Sequence, residues 1–223
     1  MALFQTDYAK GIKMVPNAQG SEAQIVRVEW PQVAALALND IVEMLPLLED
    51  HVVVDAILDT DDLDTNGTPL ITLSVGILNA AKSDIDTVAS GGAAWIAAST
   101  IGQTGGVARV TTPHALRMQP QPNIRRAIGI KCAAAPATGV AALTSLNVNR
   151  GLWQPGATYT ANDFISLPNG VRQKCTTGGV SGLVKPQFHA LYNSTTADGT
   201  VVWTTADPIL ALTMEFRSAH FGS

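Results

Sequence analysis

The chain of 223 residues is short of charge, of aromatic rings and of cysteine. Charged residues make up 14%, aromatics 5%, and the formal net charge is -4. With no basic excess, the electrostatic attraction that drives nucleic-acid binding is missing. The local basic cluster of Arg117, Arg125, Arg126 and Lys131 has no interleaved aromatics and does not restore it. Cys132 and Cys175 form neither a C-x-x-C pair nor a metal-ligand spacing, and read as buried free thiols. The longest weakly polar run, Ala89 to Ile101, falls far short of the ~20 residues that span a membrane. Lys10 and Lys13 are not followed by an apolar segment of the signal-peptide kind. The expectation is a soluble protein made in a reducing cytoplasm, with no nucleic-acid or membrane partner.

Catalytic signatures are missing too. His51, His114, His189 and His220 are scattered, with no H-E-x-x-H and no short H-x-H pair. Ser181 stands in Gly-Gly-Val-Ser-Gly, which is not the strained nucleophile elbow G-x-S-x-G, because Leu183 stands where its second glycine belongs. Gly102 to Gly106 is glycine-rich but carries no lysine, and no phosphate-binding G-x-x-x-x-G-K-[ST] occurs. These absences argue against an enzyme and imply no cofactor.

One acidic stretch calls for a metal test. Asp62-Leu63-Asp64-Thr65-Asn66-Gly67 matches the first half of a calcium loop, whose twelfth position needs a bidentate glutamate. That position is Leu73, so the EF-hand reading fails. A looser cation site could draw on Asp59, Asp61, Asp62 and Asp64. The competing reading is a solvated turn, because adjacent carboxylates in water repel by only about 1 kcal/mol at 4 Å. A glycosidase pair would need an aromatic-lined cleft that the neighbouring sequence does not supply.

What is present is β-pattern. Met1 to Gly20 reads as a polar, irregular arm that needs a partner to order it. Ala23 to Trp30 alternates, with Ala23, Ile25, Val26, Val28 and Trp30 set against Gln24, Arg27 and Glu29. Val33 to Leu48 fits either an amphipathic helix stopped by Pro46 or two strands joined at Asn39-Asp40; the turn-forming pair favours the strands. His51 to Leu58 reads as a central strand with Leu70 to Leu78 as its partner. Ala93 to Thr100 suggests one or two helical turns, Val107 to Thr112 a short strand, and Pro113 to Pro122 an irregular stretch. Asn123 to Ala133 reads as a strand with Ile124, Ala127, Ile128, Ile130 and Cys132 inward. In Pro208 to Ser218, Leu210, Leu212, Met214 and Phe216 face one way and Thr213, Glu215 and Arg217 the other.

Leu152 to Thr205 has a different texture, rich in Gly, Thr and turns, with two of the four tryptophans. Thr158 to Ile165, Val171 to Thr176 and Thr200 to Thr204 read as short strands, the last following the turn dipeptide Asp198-Gly199. Such a unit of roughly 55 residues is near the size at which a lone core is marginal. Trp153, Tyr159 and Trp203 therefore read as core, while Tyr192, Phe188 and Trp203 are the candidates for stacking on a glycan.

Trp153, Pro155, Tyr159, Asp163, Asn169-Gly170, Cys175-Thr176-Thr177, Ser181-Gly182, Pro186 and the run Asp198-Gly199-Thr200-Val201-Val202-Trp203-Thr204 resemble the small chitin-binding-like β module of tailed-bacteriophage virion proteins. The likeness covers about a quarter of the chain. Where that pattern carries an aromatic two residues before the cysteine, Gln173 stands here, and Phe188 replaces a tryptophan. Val53-Val54-Asp55, Asp61-Asp62-Leu63-Asp64 and Ile71-Thr72-Leu73-Ser74-Val75-Gly76 resemble a passage of phage virion β-sandwiches. The double resemblance implies an all-β chain: a jelly-roll-like β-sandwich at 1–150 and 207–223, with a small module inserted at 151–206. It implies a capsid decoration (cement) protein on the virion exterior, assembled in the bacterial host cytoplasm. Its partners would be the major capsid protein and its own copies, as a homotrimer, with the N-terminal arm reaching to a neighbour and the module projecting outward. A tail, baseplate or fibre protein, and a module that attaches to host-surface glycans, are the alternatives.

Overall fold

The fold, seen in a computed structural model, describes residues 1–16, 22–32, 35–48, 51–110, 126–138, 148–189 and 191–218. It is all-β: fifteen strands and a single 3-10 turn, with no α-helix among the described residues. The chain divides into two compact units. The larger comprises Met1–Trp30, Leu36–Gly139 and Leu210–Ser223; the smaller comprises Pro31–Ala35 and Val140–Ile209.

The larger unit holds two sheets. One is five-stranded, in the order β1 (Leu3–Gln5), β3 (Ile41–Leu47), β8 (Arg126–Ala134), β5 (Thr72–Ile77), β6 (Ile96–Ser99). The other is four-stranded, in the order β2 (Gln24–Pro31), β15 (Ile209–Ser218), β4 (His51–Thr60), β7 (Gly106–Arg109). A single apolar cluster takes Val42, Met44, Leu73, Val75, Ile128 and Ile130 from the first sheet. From the second it takes Val26, Val28, Val53, Leu58, Leu212 and Phe216. The two sheets thus share one core, the definition of a sandwich. The pattern of β15 follows from this: Leu210, Leu212, Met214 and Phe216 are buried and Arg217 is exposed, with Ala211 covered as well.

Several expectations change. The Leu70 to Leu78 strand does not pair with the His51 to Leu58 strand: β5 pairs with β8 and β6, while β4 pairs with β15 and β7. Alternation specifies that a strand has a buried face but not which neighbour it takes. The first sixteen residues are no free arm. β1 pairs in parallel with β3, Phe4 packs 5.1 Å from Trp30, and Thr6 donates to the Met44 carbonyl. Residues 17–20 of that stretch lie outside the described residues. In the ambiguous Val33 to Leu48 segment, residues 33–34 lie outside the described residues, 35–40 are not strand, and a turn at Asn39, whose φ is 66°, precedes β3. Pro46 sits inside β3 beyond the part that β1 covers, where its missing N–H interrupts no described β1 ladder. Ala93 to Thr100 is extended from Ile96 onward, and the 3-10 turn Ile101–Gln103 follows it. Ile25, expected inward, is exposed. Ala127, Ile128, Ile130 and Cys132 are buried as expected, whereas Ile124, Arg117, Arg125 and Pro113 to Pro122 lie outside the described residues. Arg126 and Lys131 are taken up by Asp86 and Asp84.

The smaller unit contains a four-stranded sheet, β10 (Phe164–Ser166), β11 (Arg172–Thr177), β14 (Val201–Thr205), β13 (Thr195–Asp198). A two-stranded ribbon joins β12 (Gly179–Val180) to β9 (Thr158–Tyr159). The single strand expected over Thr158 to Ile165 is split in two around Asn162, whose φ is 73°. β12 and β13 are too short and too polar for pattern reading to find.

Candidate functional site

Two places carry the candidate residues: the acidic loop of the larger unit and the aromatic cluster of the smaller one. In the loop, the carboxylates of Asp59, Asp62 and Asp64 have protein partners. Asp59, on β4, pairs with the Arg27 guanidinium at 2.8 Å. Asp62 accepts the Asp64 backbone N–H at 2.9 Å, a local turn closure. Asp61 is engaged as well. Asp64 is 1% exposed and accepts backbone N–H groups from Leu70 (2.7 Å), Ala137 (2.8 Å), Ile71 (3.3 Å) and Thr138 (3.4 Å). Burial by itself pushes this carboxyl's pKa up, but the four backbone donors outweigh it and hold the group below its ordinary range. The loop is thus a structural staple that ties 62–71 to 137–138. Among the described residues no group of three His, Cys, Asp or Glu side chains is placed to hold a metal ion.

The aromatic cluster is built around Trp203. Its side chain is 0% exposed, with Tyr159 edge-on at 4.7 Å and Phe188 at 6.1 Å. Its indole N–H donates to Asp198 Oδ2 at 3.0 Å, the oxygen that also receives the Trp153 N–H at 2.7 Å. Asp198 Oδ1 accepts the Gly182 N–H at 2.8 Å. Trp203 therefore has no face to offer a sugar, which corrects the expectation that it could stack on one. Phe188 is half-buried against it, and Tyr192 is half-buried in the loop before β13. Gln173, in place of the expected aromatic, is fully buried, with its amide N–H groups directed to Thr205 Oγ1 (3.2 Å) and the His189 carbonyl (3.3 Å).

The most specific sequence motifs of this unit turn out to be packing devices. A Cβ at Gly179 would lie 2.3 Å from Thr200 Oγ1, and one at Gly199 (φ 63°) 2.4 Å from the Val180 carbonyl oxygen. Only glycine lets the Asp198-Gly199 turn close against β12. Ser181 is no nucleophile: its hydroxyl donates to the Gln154 carbonyl at 2.7 Å and accepts the Ala157 N–H at 3.0 Å. Cys175 is buried, and burial followed by the nearby Asp163 charge pushes its thiol pKa up. Burial, with Asp40 adding to it, takes Cys132 up to about 11. Neither thiol is a nucleophile at neutral pH. His51 is buried against the Phe216 ring and His189 is exposed, while His114 and His220 lie outside the described residues. Among the described residues, neither the acidic loop nor the aromatic cluster brings side chains together around a reacting atom.

Sequence reading missed the buried ion pair of this unit. Asp207 is 0% exposed and takes the Arg172 backbone N–H (2.7 Å), Nε (2.8 Å) and Nη2 (2.6 Å). The two residues lie 35 positions apart, so no local signal could have paired them.

No protein-family model and no curated protein matches the chain. Among solved structures, the chain is similar to one in the cyanophage Pam1 capsid asymmetric unit, at 16% identity and TM-score 0.45, over 92% of this chain and 91% of that one. It is also similar to a chain in the capsid of Ralstonia phage GP4, at 27% identity and TM-score 0.57, over 97% of this chain and 98% of that one, a likeness that runs through both units.

Proposed function

We propose that this chain is a structural component of a phage virion, a head decoration (cement) protein that binds the capsid shell and stabilises it as a homo-oligomer. The observation that carries this reading is the likeness, over 97% of its length, to a chain found in a phage capsid. The resemblance of the Leu152 to Thr205 stretch to a module of phage virion proteins points the same way.

The mechanism is burial of surface against the shell. The larger unit exposes Ile12, Met14, Ile25, Val88 and Val107, and the smaller exposes Leu152, Leu183, Val184 and Leu191. Scattered aliphatics of this kind contribute little singly. Repeated over the many copies on a closed shell they act together, because each contact raises the effective concentration of the next. The partners in this reading are the major capsid protein and further copies of the chain, as a homotrimer, on the capsid exterior.

The test is the mass of the purified protein in solution, followed by its copy number in intact particles. A trimer present at a copy number comparable with that of the major capsid protein supports the proposal. A few copies per particle would move the chain to the tail or baseplate. Absence from particles, with retention on immobilised chitin or bacterial polysaccharide, would make it a glycan-binding attachment protein instead.

A further inference from the structure

The five-stranded sheet has a second face, turned away from the main core, and the 79–92 loop lies over it. Gly76 and Gly129, register partners on β5 and β8, make room for it: a Cβ on Gly76 would stand 2.7 Å from Ile85 Cγ2, and one on Gly129 2.7 Å from Leu78 Cδ1. Three alternate residues of the loop reach ionic partners on the strands, Lys82 to Glu43 (2.7 Å), Asp84 to Lys131 (2.7 Å) and Asp86 to Arg126 (3.2 Å).

The first pair differs from the others in what lies on its far side. Glu43 is 3% exposed. Its Oε1 faces the Lys82 amine, and its Oε2 accepts the carboxamide N–H of Gln5 at 2.8 Å. Gln5 and Glu43 are register partners of β1 and β3, so they share a face of the sheet. Lys82 has a φ of 53°, a conformation costly for a residue with a Cβ. A turn closed by Asn79 holds it there: the Lys82 N–H donates to the Asn79 carbonyl and the Ser83 N–H to Asn79 Oδ1, both at 2.9 Å. Ile41, two residues before Glu43 on β3, forms with Leu78, Ala127 and Ile85 an apolar cluster on this face. One buried carboxylate thus holds a primary amine on one oxygen and a primary amide on the other.

We infer that this triad is a self-modification site, at which Gln5 and Lys82 condense into an intramolecular amide with Glu43 as the catalytic proton carrier. Glu43 takes a proton from the Lys82 ammonium, and the freed Nζ lone pair forms a bond to Gln5 Cδ. The Cδ–Nε2 bond then breaks, with its electron pair leaving on nitrogen. Glu43 carries two protons in succession from Nζ to the departing nitrogen and ends ionised, as it began. The products are one secondary amide and one ammonium ion; no oxidant or co-reactant is required. Positioning supplies the rate, since amine, amide and proton carrier are held by a strand pair and an anchored turn. The bond would fasten β1, an edge strand of three residues, to the 79–92 loop. This inference stands independently of the virion reading.

The experiment is tandem mass spectrometry of a tryptic digest of the full chain after prolonged incubation at neutral pH. The expected result is a linked peptide joining Gln5 to Lys82, lighter by one ammonia than its two parts and uncleaved after Lys82. Lys82→Arg keeps a cation at Glu43 but offers no amine, and Glu43→Gln removes the proton carrier; both should yield only separate peptides. A wild-type digest containing only free Gln5 and Lys82 peptides would overturn the proposal, whatever the variants do. Persistence of the linked peptide in Glu43→Gln would overturn the role given to Glu43.

Discussion

The two units solve the same problem with different means. The larger one buries an aliphatic layer drawn from two sheets, with Ile, Leu, Val and Met side chains contributed by seven strands. Among its described residues, the smaller one gathers a buried apolar cluster of just Tyr159, Ile165, Cys175, Val201 and Trp203. It closes the remainder with carboxylates: Asp163 on Arg150, Asp198 on two indoles, Asp207 on Arg172. A unit of this size cannot bury enough apolar area on aliphatics alone, so it uses large rings and satisfied polar clasps. The comparison teaches that the larger unit's stability is spread over many residues while that of the smaller is concentrated in a few.

The sharpest way to break this comparison is Trp203→Ala. Removing a fully buried tryptophan costs about 3–5 kcal/mol, a large share of what a marginal unit has in hand. The change also takes one donor from the Asp198 carboxylate. Hydrogen exchange read peptide by peptide should show protection lost throughout 158–205 and kept in β4 and β15. The matched change in the larger unit, Phe216→Ala, costs a similar ~3–5 kcal/mol. It should lower Tm while leaving every strand of that unit protected. Loss of protection in β15 on Trp203→Ala would mean that the two units unfold as one block and that the contrast is false.

A second, smaller effect compares the carboxylates. Asp64 in the larger unit and Asp163 in the smaller are both held below the ordinary carboxylate range. In each, burial opposes the shift and is outweighed, by backbone donors at Asp64 and by Thr160 with Arg150 at Asp163. A group whose folded pKa is depressed contributes stability that is fully present above its unfolded pKa. That contribution is lost as pH falls through the folded value. Both units should therefore weaken as pH drops below about 4. Asp64→Asn should cost roughly 1.5–3 kcal/mol at pH 7, the worth of hydrogen bonds to a charged acceptor. It should also flatten the acid limb of the larger unit's stability curve while leaving that of the smaller unit unchanged.

These contrasts also mark what the sequence could and could not reveal. Alternation placed β2, β15 and most of β8, because a half-buried strand writes its period directly into the residue order. It could not tell that β5 joins the sheet opposite β4, since pairing partners are chosen by the whole core. The core role of Trp153, Tyr159 and Trp203 followed from size alone. The role of Asp64 did not: D-x-D-x-N-G spells a calcium loop as well as a turn. What separates the two is a set of N–H groups at 137–138, some seventy residues away. The glycine runs near β12 were legible as turns, but only the distances at Gly179 and Gly199 explain why no other residue stands there.

A third test compares glycines. Gly129→Ala sets a Cβ against the side chain of Leu78, a buried member of a small cluster, rather than against backbone. Overpacking of this kind costs about 1–3 kcal/mol, which the larger unit absorbs with a lower denaturation midpoint and an unchanged m-value. Gly199→Ala meets backbone atoms and a positive φ together, with nothing able to give way. It should unfold the smaller unit, as seen by loss of the near-UV signal of Trp203. If the two variants behave alike, reserve stability is not distributed as the burial pattern implies.

The smallest expected effect belongs to the surface pair Lys131–Asp84. Its 2.7 Å contact lowers the pKa of Asp84, yet that carboxylate is half open to water. Solvent competes for both charges, and ordering two long side chains offsets much of the attraction, so such pairs contribute under about 1 kcal/mol. Asp84→Asn should shift the chemical-denaturation midpoint only slightly, and the shift should vanish in molar salt, where screening reaches within about 3 Å. Arg172 and Asp207 make the opposite case with the same chemistry. Asp207 is fully enclosed and most of the Arg172 side chain is covered, so salt screens this pair little, and removing Arg172 leaves a buried carboxylate without its guanidinium. A salt-insensitive loss on Asp84→Asn would show that the 79–92 loop is held more tightly than its exposure suggests, and that the larger unit too depends on individual polar clasps.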